Sequence, residues 1–196
     1  TRAMPTYCTD AMAQFLRANA PWAQLVRDGH IALREIPSPK PALSAVEGSQ
    51  IPMDAPIIRL TDNLTIRPFN VPHRQEWSDT IGIEIIGPRK KVVYIPDIDR
   101  WSDWAVDARA FIADSDVALL DGCFYSADEV AGRPLSQIPH PLIPQTMQLL
   151  EGAPRTQVFF THLNHTNPAA DADSAEHIEI ERRGFHVAEE RMEFEL

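Results

Sequence analysis

Histidine and aspartate side chains stand at the ends of four short apolar runs in this sequence. They are His73, Asp97, Asp121 and His162. Strand ends are places where layered α/β proteins assemble sites, because the sheet holds the side chains rigidly and leaves them open to solvent. Imidazole nitrogens and carboxylate oxygens are ligands that suit zinc, manganese and iron. The arrangement therefore predicts a divalent metal site.

Each of these residues has a structural alternative when it is taken alone. A histidine at a strand end most often makes an ordinary hydrogen bond, and an aspartate before a glycine, as at Asp121, is typical of a turn. Asp97 or Asp99 could instead cap the helix that follows. The order strand-His, strand-Asp, strand-Asp, helix, strand-His, helix favours the metal site over these alternatives.

Periodicity and turn residues predict the elements that position these side chains. The predicted helices are 9–19, 102–113, 141–150 and 173–183. The predicted strands are 63–71, 80–86, 91–95, 117–120, 157–160, 185–187 and 192–196. Pro68 is expected to introduce a bulge in the first strand, and Asp173 with Glu176 forms a capping box at the last helix. Short buried strands that alternate with helices predict an α/β or α+β fold.

The length and composition fit one domain that does not cross a membrane. A chain of 196 residues is long enough to bury a core. No apolar run approaches the roughly 20 residues that a membrane helix needs. Prolines at 37, 39, 41, 52 and 56 exclude a regular element and predict a surface loop or insertion over residues 37–56.

The charge and the cysteines bear on partners and location. The formal net charge of −10 disfavours nonspecific binding to nucleic acid, which depends on clustered basic residues. Cys8 and Cys123 lie far apart and form no Cys-x-x-Cys pair, so a structural zinc site is not indicated. Two free buried thiols in a cytoplasmic protein are expected, with a disulfide as the alternative.

Local sequences around the candidate ligands resemble those of a known family. The runs that carry the resemblance are Val71-Pro72-His73-Arg74 with Ser78-Asp79-Thr80, Tyr94-Ile95-Pro96-Asp97-Ile98-Asp99, Leu119-Leu120-Asp121-Gly122, and Phe160-Thr161-His162-Leu163-Asn164-His165-Thr166-Asn167-Pro168. The first, second and fourth of these are similar to the third, fourth and fifth metal motifs of the metallo-β-lactamase superfamily. The resemblance covers nearly the whole chain and is closest to the branch that acts in pyrroloquinoline quinone (PQQ) biosynthesis.

This resemblance implies an αββα sandwich with a two-metal site. By that comparison His73 binds one metal, Asp97 bridges both, His162 binds the other, and Asp121 supports the site. The superfamily's first metal motif, His-x-His-x-Asp-His, does not occur in this sequence. The comparison therefore implies that residues 1–196 form a single, incomplete domain, the C-terminal part of the sandwich. On the order of 100 residues would precede it.

Three further residues are candidates for contact with substrate. His140 resembles a histidine that lies by the leaving group in related phosphodiesterases, which implies a general acid or a substrate contact. Its alternative is a solvent-facing residue at a helix start. His165 could orient a ligand or touch substrate. Arg74 could bind an anionic group, or could pair with Asp79 or Asp99 as part of the scaffold.

The resemblance implies hydrolysis of a phosphodiester or other ester of a small molecule. Two cations, zinc first and manganese or iron as alternatives, would share Asp97 and a hydroxide. One alternative is an iron-dependent oxygenase in PQQ biosynthesis. Another is an inactive fragment or interaction module that lacks a complete metal site. A truncated sandwich would expose apolar sheet surface, so a homodimer is also expected.

Overall fold

A computed structural model describes residues 2–39, 56–130, 132, 139–152 and 155–196. Residues 40–55 of the predicted loop at 37–56 lie outside this range. In the described part of the chain, no helix is long and apolar enough to cross a membrane.

Residues 2–39 form a small unit with two parallel strands. Its elements in chain order are β1 (Met4–Thr9), α1 (Asp10–Ala18), α2 (Trp22–Arg27) and β2 (Ile31–Ile36). The Thr9 hydroxyl accepts a hydrogen bond from the Met12 amide, which confirms the predicted start of α1. The Thr9 hydroxyl also donates to Asp79, so this unit is tied to the rest of the molecule close to the predicted site.

The remaining strands form one mixed sheet whose spatial order follows the sequence. They are β3 (Ile58–Thr61), β4 (Leu64–Asn70), β5 (Ile81–Ile86), β6 (Lys91–Ile95), β7 (Val117–Asp121), β8 (Gln157–Thr161) and β9 (His186–Val187). Strands β3 to β6 are antiparallel neighbours, and β6 to β9 are parallel. The parallel strands are connected by α3 (Ala108–Ala113), α4 (Ile143–Leu150) and α5 (Ala175–Arg182).

This topology places four carboxyl ends at one edge of the sheet. Parallel strands β6, β7 and β8 end on the same side. Strand β4 is antiparallel to β5, which is antiparallel to β6, so β4 also ends there. The predicted ligands follow these four strands and therefore meet at this edge.

The two faces of the sheet are packed differently. One face meets the helices and forms the main core, to which Val93, Ile95, Leu120 and Phe160 contribute. The opposite face carries a smaller cluster, whose buried residues are Val92, Val117 and Phe159. Because side chains alternate along a strand, each of β6, β7 and β8 contributes to both clusters.

The face of β5 that points toward the main core is not its isoleucine face. Ile81, Ile83 and Ile85 share a face, as predicted, but they are only partly buried. The alternating positions Gly82 and Glu84 are buried. Gly82 lies opposite Phe69 of β4, and a side chain there would collide with the Phe69 ring, so the close approach of this ring requires glycine.

The predicted bulge at Pro68 is wrong. The pairing of β4 with β5 advances evenly from Thr65 with Ile86 to Asn70 with Ile81. Within the described part of the chain, β3 pairs only with the start of β4, up to Ile66. Strand β4 therefore has an open edge at Pro68, where the missing N–H does not interrupt a ladder.

The predicted helix at 102–113 is interrupted. A short 3-10 turn spans Trp101–Asp103, and α3 begins only at Ala108, where the Asp107 carboxylate accepts a hydrogen bond from the Ala110 amide. Trp104 turns into the core between them and stacks on Phe69 at a ring-centroid distance of 5.7 Å. Burial of this ring outweighs the preference of the segment for a continuous helix.

Two details of the C-terminal part also differ from prediction. Helix α5 is capped by Ser174, whose hydroxyl accepts from the His177 amide, rather than by Asp173, because the helix begins two residues later than predicted. Residues 192–196 do not form a strand. Instead Phe194 and Leu196 pack on the smaller cluster, which takes this segment away from the sheet edge.

Candidate metal centre

Three of the predicted strand-end residues, Asp97, Asp121 and His162, meet with His140 in one group of donor atoms, and His73 lies beside this group in contact with Asp97. His73 Nε2 lies 3.1 Å from Asp97 Oδ1, and His140 Nδ1 lies 3.6 Å from the same oxygen. The His140 ring is 5.5 Å from the His73 ring and 5.6 Å from the His162 ring, measured between centroids. Donor atoms of Asp97, Asp121, His140 and His162 all lie within 4.8 Å of one another.

Asp97 has an oxygen that the protein leaves without a hydrogen bond. Oδ1 is buried, and among the residues that the structure describes none donates a hydrogen bond to it, although His73 and His140 approach it at ion-pair distance. A buried carboxylate oxygen without a partner is unfavourable. A bound cation would satisfy it, so the donor set fits a divalent metal.

His73 is held in place by Asp99. His73 Nδ1 is 2.7 Å from Asp99 Oδ1, and the Asp99 amide donates to the Pro72 carbonyl. With Nδ1 hydrogen-bonded to a carboxylate, Nε2 is left to face Asp97. Carboxylates commonly orient metal-binding histidines in this way. Asp99 thus has a contact that the sequence does not predict, and this contact gives it a positioning role rather than that of a helix cap.

Asp121 connects three segments of the site from a fully buried position. Its Oδ2 accepts from the Ile98 amide at 3.1 Å and lies 2.7 Å from His140 Nδ1, while Oδ1 accepts from the Cys123 amide at 2.9 Å. These bonds occupy both oxygens. The geometry therefore suits Asp121 to orienting His140 rather than to binding a metal directly.

The environment of His140 favours its protonated form. Burial by itself lowers the pKa of His140, but hydrogen bonds to the Asp121 carboxylate and to Cys123 outweigh burial and raise the pKa to about 10. In the absence of a cation the ring therefore carries a proton at neutral pH. A proton held at the edge of a metal centre is suited to transfer to a leaving group.

His162 stands on a strained but well-anchored turn. Its φ of 60° lies in the left-handed region, which is uncommon for residues other than glycine. The loop that follows is docked on the end of β7. The Asn164 amide donates to the Cys123 carbonyl, and the buried Asn167 side chain donates to the carbonyls of Gly122 and Cys123. These bonds hold the turn in place, and backbone strain of this kind is common at functional sites.

Arg74 and His165 lie outside the group of donor atoms formed by Asp97, Asp121, His140 and His162. Both side chains are exposed. No described residue forms an ion pair with Arg74. The scaffold partners expected for it are engaged elsewhere, since Asp79 accepts from Thr9 and Asp99 holds His73. Within the described ranges Arg74 thus has no ion-pair partner, and its contact with a substrate stays a prediction.

Cys123 is a potential donor that the sequence analysis does not identify. Its sulfur and ring nitrogens of His140 and His162 lie within 4.8 Å of one another. The thiol belongs to no metal motif, and its position two residues after the end of β7 is the only sequence signal that could have suggested it.

Replacing Asp121 by asparagine is expected to weaken metal binding about 10- to 100-fold. The amide keeps the shape of the carboxylate but places a donor where the Ile98 amide, the Cys123 amide or His140 needs an acceptor. The measurement is a competition titration of zinc against a chelating dye. The matched control is Asp116→Asn, which lies at the opposite end of β7 and should leave the affinity unchanged. Equal affinities for all three proteins would contradict the orienting role of Asp121.

Taken together, the fold and site define an α/β protein with a candidate metal centre at the carboxyl edge of its sheet. Residues 1–163 match the family described as the beta-lactamase superfamily domain, so the chain belongs to the metallo-β-lactamase superfamily. The predicted resemblance to the PQQ biosynthesis branch is also confirmed. The coenzyme PQQ synthesis protein B of Pseudomonas putida (strain W619) is 28% identical over 205 residues, and that of Methylobacillus flagellatus is 29% identical over 206 residues.

Solved structures confirm the predicted fold class. The structure of Zn(2+)-bound PqqB from Methylobacterium extorquens matches with a TM-score of 0.76 at 22% identity, covering 99% of this chain and 63% of that chain. A diphosphatase from the PhnP family matches with a TM-score of 0.60 at 17% identity, covering 100% and 60%. The two curated relatives are each matched over 97% of this chain and 64% of their own length. The chain therefore spans less than two thirds of these relatives.

Proposed function

We propose that this chain belongs to a metal-dependent hydrolase with a two-metal site that acts on a phosphodiester or other ester. The observation that carries the proposal is the buried Asp97 Oδ1, which approaches two histidines and lacks a hydrogen bond among the described residues. In this proposal His73 would hold one cation, His162 the other, and Asp97 would contribute to both. The cations, when bound, would lower the pKa of a bound water toward about 7 and stabilise negative charge on the reacting group.

The chain's own residues contribute positioning and proton transfer. Asp99 and Asp121 fix the orientations of His73 and His140. His140, whose Nδ1 lies 2.7 Å from Asp121 Oδ2, would donate a proton to the leaving oxygen. The exposed guanidinium of Arg74 binds an anionic group of the substrate, and His165 contacts the substrate from the same loop as His162.

The second candidate function is an iron-dependent oxygenase in PQQ biosynthesis. It is supported by the names of the curated relatives, which are PQQ synthesis proteins, and by the chemistry of the donors, because histidine and carboxylate also bind iron. Zinc remains the first choice of metal, since the PqqB structure with the same fold is zinc-bound.

The remaining predictions concern the partners and the location of the protein. A small molecule is the expected substrate. The net charge of −10 continues to argue against a nucleic acid. A cytoplasmic location and a homodimer remain predictions, as does the assignment of residues 1–196 to a single incomplete domain.

The test is to purify the protein without chelator, load it separately with zinc, manganese or iron(II), and measure three quantities. These are metal content by elemental analysis, hydrolysis of bis-p-nitrophenyl phosphate, and oxygen consumption. About two bound ions with hydrolysis under zinc or manganese would support the hydrolase. Oxygen consumption with iron and no hydrolysis would support the oxygenase. No bound metal under any condition would reject both enzymes in favour of an interaction module.

A further inference from the structure

Cys123 is fixed beside the metal centre by its own backbone. Its amide donates to Asp121 Oδ1 at 2.9 Å, and its carbonyl accepts from the Asn164 amide at 3.0 Å and from Asn167 Nδ2 at 3.2 Å. The residue is 8% exposed. Three hydrogen bonds, one from the end of β7 and two from the loop after β8, therefore fix the backbone that carries the thiol, so its closeness to the histidines is a built feature of the fold.

The thiol completes a second group of donor atoms, distinct in chemistry from the first. The first group combines two carboxylates with His140 and His162, whereas the second combines the sulfur of Cys123 with the same two histidines. Zinc bonds of about 2.3 Å to sulfur and 2.0–2.1 Å to nitrogen place tetrahedral donors roughly 3.5 Å apart. Donors already within 4.8 Å reach such positions by small side-chain rotations.

We propose that Cys123, His140 and His162 form an inhibitory site for one soft divalent cation, such as excess zinc or cadmium. A thiolate with two imidazoles suits zinc and softer metals better than manganese or magnesium. Binding exchanges the thiol proton and the His140 ring proton for the cation, and both protons pass to solvent. Asp97 Oδ1 is the nearest free donor for a fourth ligand, because the oxygens of Asp121 are already hydrogen-bonded.

Occupation of this site would remove two residues from the proposed reaction. A cation between Cys123 and His162 takes His162 away from its place beside Asp97, and coordination of His140 ties up the ring that would otherwise meet the leaving group. This inference rests on the proposed function only for its inhibitory effect. The existence of the thiolate site can be tested without any substrate.

The test is to titrate the purified protein with cadmium and, separately, with cobalt. Each titration is monitored by ultraviolet absorption. The chain has two cysteines, so Cys8→Ser and Cys123→Ser are matched variants. We expect a thiolate-to-metal charge-transfer band that saturates near one equivalent, that persists in Cys8→Ser and that disappears in Cys123→Ser. Loss of the thiolate is expected to weaken cadmium binding at least tenfold. Circular dichroism of each variant verifies that it is folded, with Cys123→Ala as a second replacement.

The outcomes separate the site from the proposed hydrolase. Cobalt binding without a charge-transfer band, or a band that survives in Cys123→Ser, would overturn the thiolate site while leaving the two-metal centre in place. A charge-transfer band in a protein that shows no hydrolysis would keep the site and reject the hydrolase. If hydrolysis is found, excess zinc should inhibit the wild type at least tenfold more strongly than Cys123→Ser, and equal inhibition would overturn the inhibitory role.

Discussion

The variant Asp97→Ala is expected to lose metal binding more completely than any other single replacement at the site. In the proposed two-metal arrangement Asp97 is the shared carboxylate, and its Oδ1 approaches both His73 and His140. Replacements that only disturb the orientation of a ligand cost about 10- to 100-fold in metal affinity, so loss of the shared ligand should cost more than about 100-fold. Elemental analysis after dialysis against a limiting zinc concentration measures the effect.

Asp103→Asn provides the control for this prediction. Asp103 is exposed on the short 3-10 turn that follows the Asp97 segment, and its carboxylate contacts only the neighbouring Ser102 hydroxyl among the described residues. This variant should retain the wild-type metal content. Asp97→Ala, in contrast to this control, removes the negative charge that lies between His73 and His140. Unchanged metal content in folded Asp97→Ala would show that Asp97 is not a ligand.

A second large effect, on the free energy of unfolding, is expected at the buried Glu84, away from the candidate metal centre. Its side chain is completely buried, pairs across the strands with Arg67, and has Lys91 Nζ 3.6 Å from Oε1. Removal of one partner from a buried ion pair typically costs about 3–5 kcal/mol, because the remaining charge loses its partner. Arg67 and Lys91 are 28% and 21% exposed. Glu84→Ala should therefore lower the free energy of unfolding by about 3 kcal/mol, at the lower end of that range.

Urea denaturation of the metal-free protein measures this effect without a contribution from metal binding. The control is Glu195→Ala, since Glu195 forms a surface ion pair with Arg89 at 3.5 Å in which the side chains are 90% and 72% exposed. That pair should contribute less than about 1 kcal/mol. The double variant Arg67→Met, Glu84→Leu should recover most of the lost stability, because neither charge is then left unpaired. Similar effects for Glu84→Ala and Glu195→Ala would contradict this account.

The sequence was sufficient to locate the carboxyl edge of the sheet. Strands β6, β7 and β8 are nearly uniform apolar runs with a polar residue at the end, which is the pattern of parallel strands that are buried on both faces. The sequence pattern alone therefore places Asp97, Asp121 and His162 at one edge of the sheet. His73 was placed on the same ground, as a histidine that follows a strand, although its antiparallel strand carries a weaker pattern.

Contacts between distant segments could not be predicted in the same way. Asp99 and His73 meet only because β4 and β6 end at the same edge, and His140 reaches Asp121 only because α4 docks beside β7. No motif marked Cys123 as a metal donor, and a single cysteine is usually a buried apolar residue. Glu84 contradicts the rule that charged residues avoid the core, and only the neighbouring cations explain it.

The unit formed by β1 and β2 also escaped prediction. Half of β1 is exposed and most of β2 is only partly buried, with no alternation of buried and exposed positions along either strand. Their parallel pairing depends on two intervening helices, of which only α1 has clear capping and amphipathic residues. The interruption of the helix at 102–113 was likewise invisible, because the packing of Trp104 on Phe69 involves a strand far away in sequence.

The placement of the donors on successive parallel strands also affects how the chain reaches its folded state. Parallel strands pair only after a crossover connection has closed, and contacts between such distant segments form slowly. Asp97, Asp121 and His162 therefore come together only once the β6-β7-β8 sheet exists. A cation cannot nucleate this assembly. If the proposed site holds a cation, that cation would bind the finished sheet and slow its opening, so metal supply would set how long a folded molecule survives rather than how quickly it forms.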